Sequence, residues 1–150
     1  MSRPLVVQSH NMYYPPLLLP LLFMVALTFA VWFRMYYLRL SEMQEKGIDP
    51  QAVATRSRGR DLLTRSEAAS DNLMNLFEMP VLFYLAIVLA LILLIQDPVL
   101  VAFAWLYVIL RVLHSAIHCT YNTVLHRFWL YFASCTALLA IWARLAWQIL

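Results

Sequence analysis

Four long runs of apolar residues constrain the fold more than any other feature of this sequence. They lie at about residues 16–39, 73–95, 99–119 and 128–150. Because an α-helix rises about 1.5 Å per residue, roughly 20 apolar residues cross the hydrocarbon core of a bilayer. Only 13% of the 150 residues are charged, about half the share typical of soluble domains. The sequence therefore predicts one all-α integral membrane domain, a bundle of four transmembrane helices.

A charged segment at about residues 41–71 separates the first two apolar runs and is predicted to be a solvent-facing loop. Gly47 to Pro50 is predicted to end the first helix. Most basic residues outside the apolar runs fall in this loop or just before the last run, namely Lys46, Arg56, Arg58, Arg60, Arg65 and Arg127. Cytoplasmic loops carry an excess of Lys and Arg, so the loop is predicted to be cytoplasmic and both termini non-cytoplasmic. Nucleic-acid-binding proteins carry basic stripes interleaved with stacking aromatic residues. This sequence has no such pattern, so no nucleic-acid partner is predicted.

Polar residues open the second apolar run. Asp71, Asn75 and Glu78 are spaced i, i+4 and i+7, which places their side chains on one face of a helix. Pro80 follows within the run, and a slight bend is expected there. These three side chains are predicted to converge at the cytoplasmic end of the bundle.

A second polar stripe lies in the third run and consists of Arg111, His114, Ser115, His118 and Asn122. An arginine that faces lipid costs at least about 2.5–3.5 kcal/mol, so Arg111 is predicted to face the bundle. The tight turn at Gln96-Asp97-Pro98 makes the second and third helices antiparallel neighbours. Glu78 is therefore the expected partner of Arg111.

Three interpretations of these residues are open. They form a buried polar network that fixes helix register, or a functional site within the membrane, or a metal site. His114 and His118 have i, i+4 spacing and Glu78 would be a third ligand. No glutamate stands between the histidines, and Arg111 repels a cation, so no metal is predicted. The aromatic residues Trp105, Tyr107, Trp129, Tyr131, Trp142 and Trp147 are expected to face lipid or the interface.

The sequence resembles the membrane-associated proteins in eicosanoid and glutathione metabolism, the MAPEG family. The resemblance rests on Asn75-Leu-Phe-Glu78 followed by Pro80, on Arg111-Val-Leu-His114 with His118 one turn further, and on Arg127 before the fourth run. It covers nearly all of the chain from about Pro16 onward. It implies a homotrimer with glutathione bound between subunits near the cytoplasmic face.

The resemblance also implies roles for individual residues. Asn75 and Glu78 match a pair that holds the peptide backbone of glutathione, and Arg111 and His114 line the same pocket, with His118 one turn further. Arg127 matches the arginine that stabilises the glutathione thiolate and is the expected catalytic residue. Arg39, at the end of the first run, matches another anion-binding arginine.

Two functions follow from this resemblance. The first is a glutathione-dependent transferase or peroxidase that acts on a lipophilic small molecule. The alternative is a non-catalytic trimeric membrane scaffold or lipid-binding protein of the same fold. Glutathione-using members carry an arginine where this chain has Asp71 and Met74, and a tyrosine where it has His118, which favours the alternative. Retention of Arg127 favours the enzyme.

Overall fold

A computed structural model describes residues 15–150, and within this range the regular structure is helical. The six α-helices are α1 (Leu18–Lys46), α2 (Arg56–Leu62), α3 (Glu67–Leu76), α4 (Met79–Ile92), α5 (Pro98–Cys119) and α6 (Val124–Ile149). Short 3₁₀ helices lie at Pro50–Val53 and Thr64–Ser66. Four helical stretches are long and apolar enough to cross a membrane: Leu18–Lys46, Thr64–Ile92, Pro98–Cys119 and Val124–Ile149. The prediction of an all-α membrane bundle with four spans is confirmed.

The apolar interior of the bundle is formed by α1, α4, α5 and α6. Met24, Phe83, Leu100 and Ile141 have no exposed surface, and each comes from a different one of these helices. The Tyr107 ring stacks on Phe83 with centroids 4.7 Å apart. Tyr107 was expected to face lipid, and that prediction is wrong because the side chain has no exposed surface in the bundle interior.

The second span is broken rather than slightly bent. Helix α3 ends at Leu76, and α4 begins at Met79 after two non-helical residues. Pro80 has no N–H to donate to the carbonyl of Leu76, and its ring clashes with that carbonyl in a continuous helix. Glu78 therefore lies in the break, outside the helical face that it was predicted to share with Asp71 and Asn75.

The connection between the first two spans is shorter than predicted. Helix α1 continues to Lys46, and α3 begins at Glu67. Gly47 adopts the left-handed conformation with φ 61°, which glycine reaches without steric cost. The following Ile48 N–H donates to the carbonyl of Met43 at 3.0 Å. Together with the bond from the Gly47 N–H to the Gln44 carbonyl at 3.4 Å, it satisfies carbonyls at the end of α1.

One acidic side chain of this region is buried, although the sequence predicted a solvent-facing segment. Glu42 is 1% exposed. Its carboxylate pairs with Lys46 Nζ at 2.6 Å and accepts from the backbone N–H of Arg65 at 3.0 Å and from the Thr64 hydroxyl at 3.4 Å. Glu42 thereby ties the end of α1 to the start of the second span.

At the opposite end of the bundle, Asp97 joins the third and fourth spans. Its carboxylate caps α5 by accepting from the Val99 N–H at 3.0 Å, and it also accepts from Arg144 Nε at 2.6 Å and from Gln148. The hydrogen bond from Arg144 holds the pKa of Asp97 below its usual range. The Asp97 carboxylate thus joins α5 and α6 through three hydrogen bonds.

Candidate functional site

A polar cleft lies where α5 ends and α6 begins, at the end of the bundle remote from Asp97. It has a volume of about 260 Å³ and is lined by Asp71, Met74, Asn75, Glu78, His118 and Arg127. An adjoining cleft of about 240 Å³ shares Asn75 and Arg127 with it and is also lined by His114, Val124, Phe128 and Tyr131. The structure thus brings five of the seven predicted site residues together. We call these two adjoining clefts together the Arg127 cleft.

Arg127 is held in the cleft by a residue of the preceding connection. Its Nη1 donates to Asn122 Oδ1 at 2.6 Å. Asn122 has a positive φ of 53°, a conformation that asparagine tolerates better than most residues. Because α5 ends at Cys119, Asn122 does not belong to the helical stripe predicted for it. Its position instead fixes the direction of the Arg127 side chain.

The two histidines of α5 lie beside Arg127. His114 and His118 are each 3% exposed, with ring centroids 5.6 Å apart. His114 Nδ1 lies 3.0 Å from the Arg127 carbonyl oxygen. Since a carbonyl only accepts, Nδ1 carries the proton and Nε2 is an acceptor in the neutral ring. Among the described residues, no His, Cys, Asp and Glu side chains form a group of three that could hold a metal ion.

Arg111 lies behind the cleft and is completely buried. The sequence predicted that Glu78 would pair with it, and that prediction is wrong. Arg111 Nη2 donates to the backbone carbonyl of Asn75 at 3.0 Å, and its guanidinium lies 5.5 Å from the centre of the Tyr131 ring. No ion pair joins Arg111 to Glu78 in the part of the chain that the structure describes.

The break in the second span explains this contact. A carbonyl in the last turn of a helix has no intrahelical partner, and the last turn of α3 includes Asn75. A cation near a helix C-terminus is also favoured by the helix dipole. Arg111 therefore caps α3 and supports the break that brings Glu78 to the cleft. Its Nε and Nη1 are buried and have no partner among the described residues.

One further polar residue, Asn72, holds α3 against α5 and was missed in the sequence. Asn72 has no exposed surface. It accepts from the Ser115 hydroxyl at 3.3 Å and donates to Cys119 Sγ at 3.4 Å. This contact fits the interpretation that part of the polar stripe fixes helix register. Asn72 and Ser115 lie on different helices, 43 residues apart, so no spacing within one helix predicts their contact.

Tyr131 is also a cleft residue, although it was expected to face lipid. Its ring lines the Arg127 cleft and lies 5.8 Å from the ring of His114. Tyr131 follows Arg127 by four residues on α6, so the two side chains share a face. That spacing was the available signal.

Arg39 lies in a different cavity, of about 590 Å³, between α1, α3 and the connection between the first two spans. Thr55, Ser70, Met74 and Glu78 also line it. Met74 and Glu78 line the Arg127 cleft as well. Arg39 and Arg127 therefore approach α3 from two sides.

Together these features define a multi-pass membrane bundle with a polar cleft at one end. A family model described as the MAPEG family matches residues 17–147. The chain therefore belongs to the MAPEG family, as the resemblance of its motifs predicted. No curated protein and no solved structure matches the chain.

Proposed function

We propose that this protein is a glutathione-dependent transferase or peroxidase that acts on lipophilic electrophiles. The observation that carries the proposal is the position of Arg127. Its guanidinium, held by Asn122, lines a cleft together with Asn75, Glu78 and His118. A cation in such a cleft is suited to an anionic nucleophile.

The chemistry requires the thiolate form of glutathione. A thiol with an ordinary pKa of about 8.5 is mostly protonated at neutral pH, and a nearby cation favours its ionised form. In the proposal, Arg127 stabilises the thiolate, while Asn75 and Glu78 bind the peptide backbone. The thiolate sulfur then attacks the electrophilic atom of the second substrate, and the leaving group departs with the bonding electron pair.

The lipophilic substrate is proposed to enter from the bilayer. Val124 and Phe128 line the cleft beside Arg127, and both are more than half exposed. Apolar side chains at this position provide a surface for a substrate dissolved in the hydrocarbon phase. His114 and the buried Arg111 form the wall behind the cleft, and Arg39 binds a further anionic group.

The assembly proposed is a homotrimer with the charged loop in the cytoplasm and both termini on the other side. The family resemblance supports the trimer, and the concentration of basic residues around α2 supports the orientation. Analytical ultracentrifugation in detergent of matched density tests the first. Labelling of a cysteine introduced at Arg58, with a reagent that does not cross the membrane, tests the second.

Calorimetric titration of glutathione into the detergent-purified protein tests the proposed function. Arg127→Ala is compared with the wild type, and Arg58→Ala, which removes an exposed arginine outside the cleft, is the matched control. We expect saturable binding and a thiolate absorbance in the wild type and the control. We expect weaker binding and no thiolate absorbance in Arg127→Ala.

One observation favours the non-catalytic alternative. The carboxylate of Asp71 lines the same cleft as Glu78, and two carboxylates repel the carboxylates of glutathione. In this alternative the protein is a trimeric scaffold or lipid-binding protein, and its buried polar groups only fix helix register. Absence of binding at millimolar glutathione would establish that the thiol chemistry is wrong and favour this alternative.

A further inference from the structure

The surface around α3 carries charges of alternating sign. Arg127 lies on one side, in the cleft that Asp71 and Glu78 also line. On the other side a narrow crevice of about 20 Å³ is lined by Arg39, Arg60, Glu67, Ser70 and Asp71 among others. We call this feature the arginine crevice. Asp71 belongs to both, so the crevice and the Arg127 cleft meet at this residue.

Arg60 reaches the crevice from helix α2. Its Nη2 donates to Asp71 Oδ1 at 3.3 Å. The backbone of α2 is fixed at both ends, because Thr55 caps it through the Arg58 N–H and Lys46 Nζ donates to the Leu62 carbonyl at 3.0 Å. The ion pair therefore determines where the Arg60 guanidinium lies.

This pair changes the electrostatic character of Asp71. An unpaired aspartate at the mouth of the cleft would repel an anionic ligand, whereas a paired one adds no net charge. A guanidinium has five N–H donors, and among the described residues Asp71 engages one of those of Arg60. The Arg60 side chain is 54% exposed, so its remaining donors face the crevice and solvent.

We infer that Arg60 is a ligand-binding residue of the proposed site, and that it binds a carboxylate of a zwitterionic peptide thiol together with Arg39. Asp71 is its positioning residue. The inference rests on the proposed function. The thiolate lies at Arg127, the ammonium group at Glu78, and the carboxylate at Arg39 and Arg60.

The dimensions agree with this arrangement. From Asp71 to the end of α3 at Leu76 the helix rises roughly 7.5 Å at about 1.5 Å per residue. The thiol of glutathione is on the middle residue, and two extended residues, which reach from it to a terminal carboxylate, span about 7 Å. One tripeptide can therefore reach from the Arg127 cleft to the arginine crevice along α3. Glu78 has no ion-pair partner among the described side chains and is free to receive the ammonium group.

Binding of glutathione and of its two monoethyl esters, each with one carboxylate blocked, tests the inference in the detergent-purified protein. The wild type should bind one ester roughly tenfold more weakly than glutathione, since a charge-assisted hydrogen bond is lost. Arg60→Gln should bind glutathione about as weakly as the wild type binds that ester. It should show no further loss with the ester, because the two changes remove the same contact.

Arg58→Gln is the matched control, since it removes an arginine of the same short helix that lies outside the crevice. It should bind all three ligands as the wild type does. The thiolate absorbance of Arg60→Gln at saturation should equal that of the wild type, which separates carboxylate binding from the role of Arg127. Arg60→Lys retains a cation opposite Asp71 and should recover part of the preference for glutathione.

The outcomes distinguish this inference from the proposed function. If the wild type binds neither glutathione nor its esters, the proposed function is wrong and the inference falls with it. If the wild type binds glutathione and Arg60→Gln retains the full preference over both esters, only the inference is overturned. Equal binding of glutathione by Arg60→Lys and Arg60→Gln would overturn it as well, since it would show that the charge at this position does not contribute.

Discussion

Two buried charged side chains near opposite ends of the bundle differ in how completely their polar atoms are paired. At one end, the Asp97 carboxylate accepts from Val99, Arg144 and Gln148 and lies almost fully enclosed. At the other end, Arg111 has one hydrogen bond and two nitrogen atoms without a described partner. His114 Nε2 and His118 Nδ1 are buried there without a described partner too.

The difference separates structural polar groups from candidate binding groups. A fully paired cluster rigidifies the helices that it joins, whereas unpaired buried groups cost free energy that folding alone does not repay. Asp97 therefore has a structural role, since it joins α5 and α6. His114 and His118 line the Arg127 cleft, and their ring nitrogens without a described partner support the proposal that it takes a polar ligand.

The largest effect is expected from Asp97→Asn, which would weaken the contact between Asp97 and α6. The substitution removes the charge opposite Arg144 and replaces one acceptor oxygen with an amide that donates. We expect the free energy of unfolding to fall by roughly 2–3 kcal/mol, because Arg144 and Gln148 lose a charged acceptor. Thermal unfolding in detergent measures the loss, and glutathione binding by the folded variant should be unchanged.

The pH dependence of this effect provides the control. Because the pKa of Asp97 is lowered on folding, its stabilisation is complete above its ordinary pKa of about 3.9 and is lost as the pH falls through the folded-state value. The difference in melting temperature between wild type and Asp97→Asn should therefore be constant near neutrality and shrink below about pH 4. A constant difference down to pH 3 would contradict the role of the ionised carboxylate.

For Arg111→Met, near the other end of the bundle, we expect the free energy of unfolding to change in the opposite direction. The substitution loses the bond to the Asn75 carbonyl but removes two buried N–H groups without partners, each of which costs about 1–3 kcal/mol. We expect the free energy of unfolding to rise by roughly 1–2 kcal/mol, while glutathione binding is lost because the end of α3, which carries Asn75, is no longer capped.

Glu78→Gln is the comparison for this prediction. Glu78 makes no ion pair with Arg111 among the described residues, so the variant should melt as the wild type does. A fall in melting temperature of similar size in Arg111→Met and Glu78→Gln would show that the two side chains do pair, against the geometry described above.

A smaller effect is expected from Asn122→Gly, which tests how Arg127 is positioned. Glycine retains the positive φ at residue 122, so only the side-chain acceptor is removed. We expect glutathione to bind roughly 2–10-fold more weakly, which corresponds to one hydrogen bond of about 0.5–1.5 kcal/mol. Asn122→Asp keeps the acceptor but adds a negative charge beside Arg127, so it tests the charge of the pair and not its hydrogen bond alone. Equal affinity in Asn122→Gly and wild type would show that Arg127 needs no support from residue 122.

The sequence predicted those parts of the molecule that depend on composition and on helical periodicity. Apolar runs of sufficient length located the four spans. The spacing of Arg111, His114, Ser115 and His118 placed these side chains toward the interior, where each is at most 3% exposed. Both features arise from the partition of side chains between lipid and protein, which a linear pattern records.

The partners of the buried groups could not be predicted in the same way. Arg111 binds a backbone carbonyl that is free only because Pro80 breaks the span, and backbone acceptors leave no pattern in the side chains. Glu42 is buried by groups 22 and 23 residues further along the chain. Such contacts depend on how the connection after α1 folds back, which spacing within one helix does not specify.

The smallest effect is expected from Leu94→Gly, between the end of α4 and Asp97. Leu94 has a positive φ of 54°, and the left-handed conformation costs an L-residue roughly 1–2 kcal/mol. The backbone here ends α4 as glycine ends α1: Ile95 N–H donates to the Ala90 carbonyl at 2.9 Å, and Leu94 N–H donates to that of Leu91 at 3.2 Å.

Glycine removes this strain but gives up the contacts of an exposed side chain and adds freedom to the unfolded chain. We therefore expect a net rise in the free energy of unfolding of about 0.5–1 kcal/mol, read as a higher melting temperature in detergent. Leu94→Ala, which keeps the Cβ atom, should give no rise. An equal gain from both variants would assign the effect to the lost side chain and not to relief of backbone strain at residue 94.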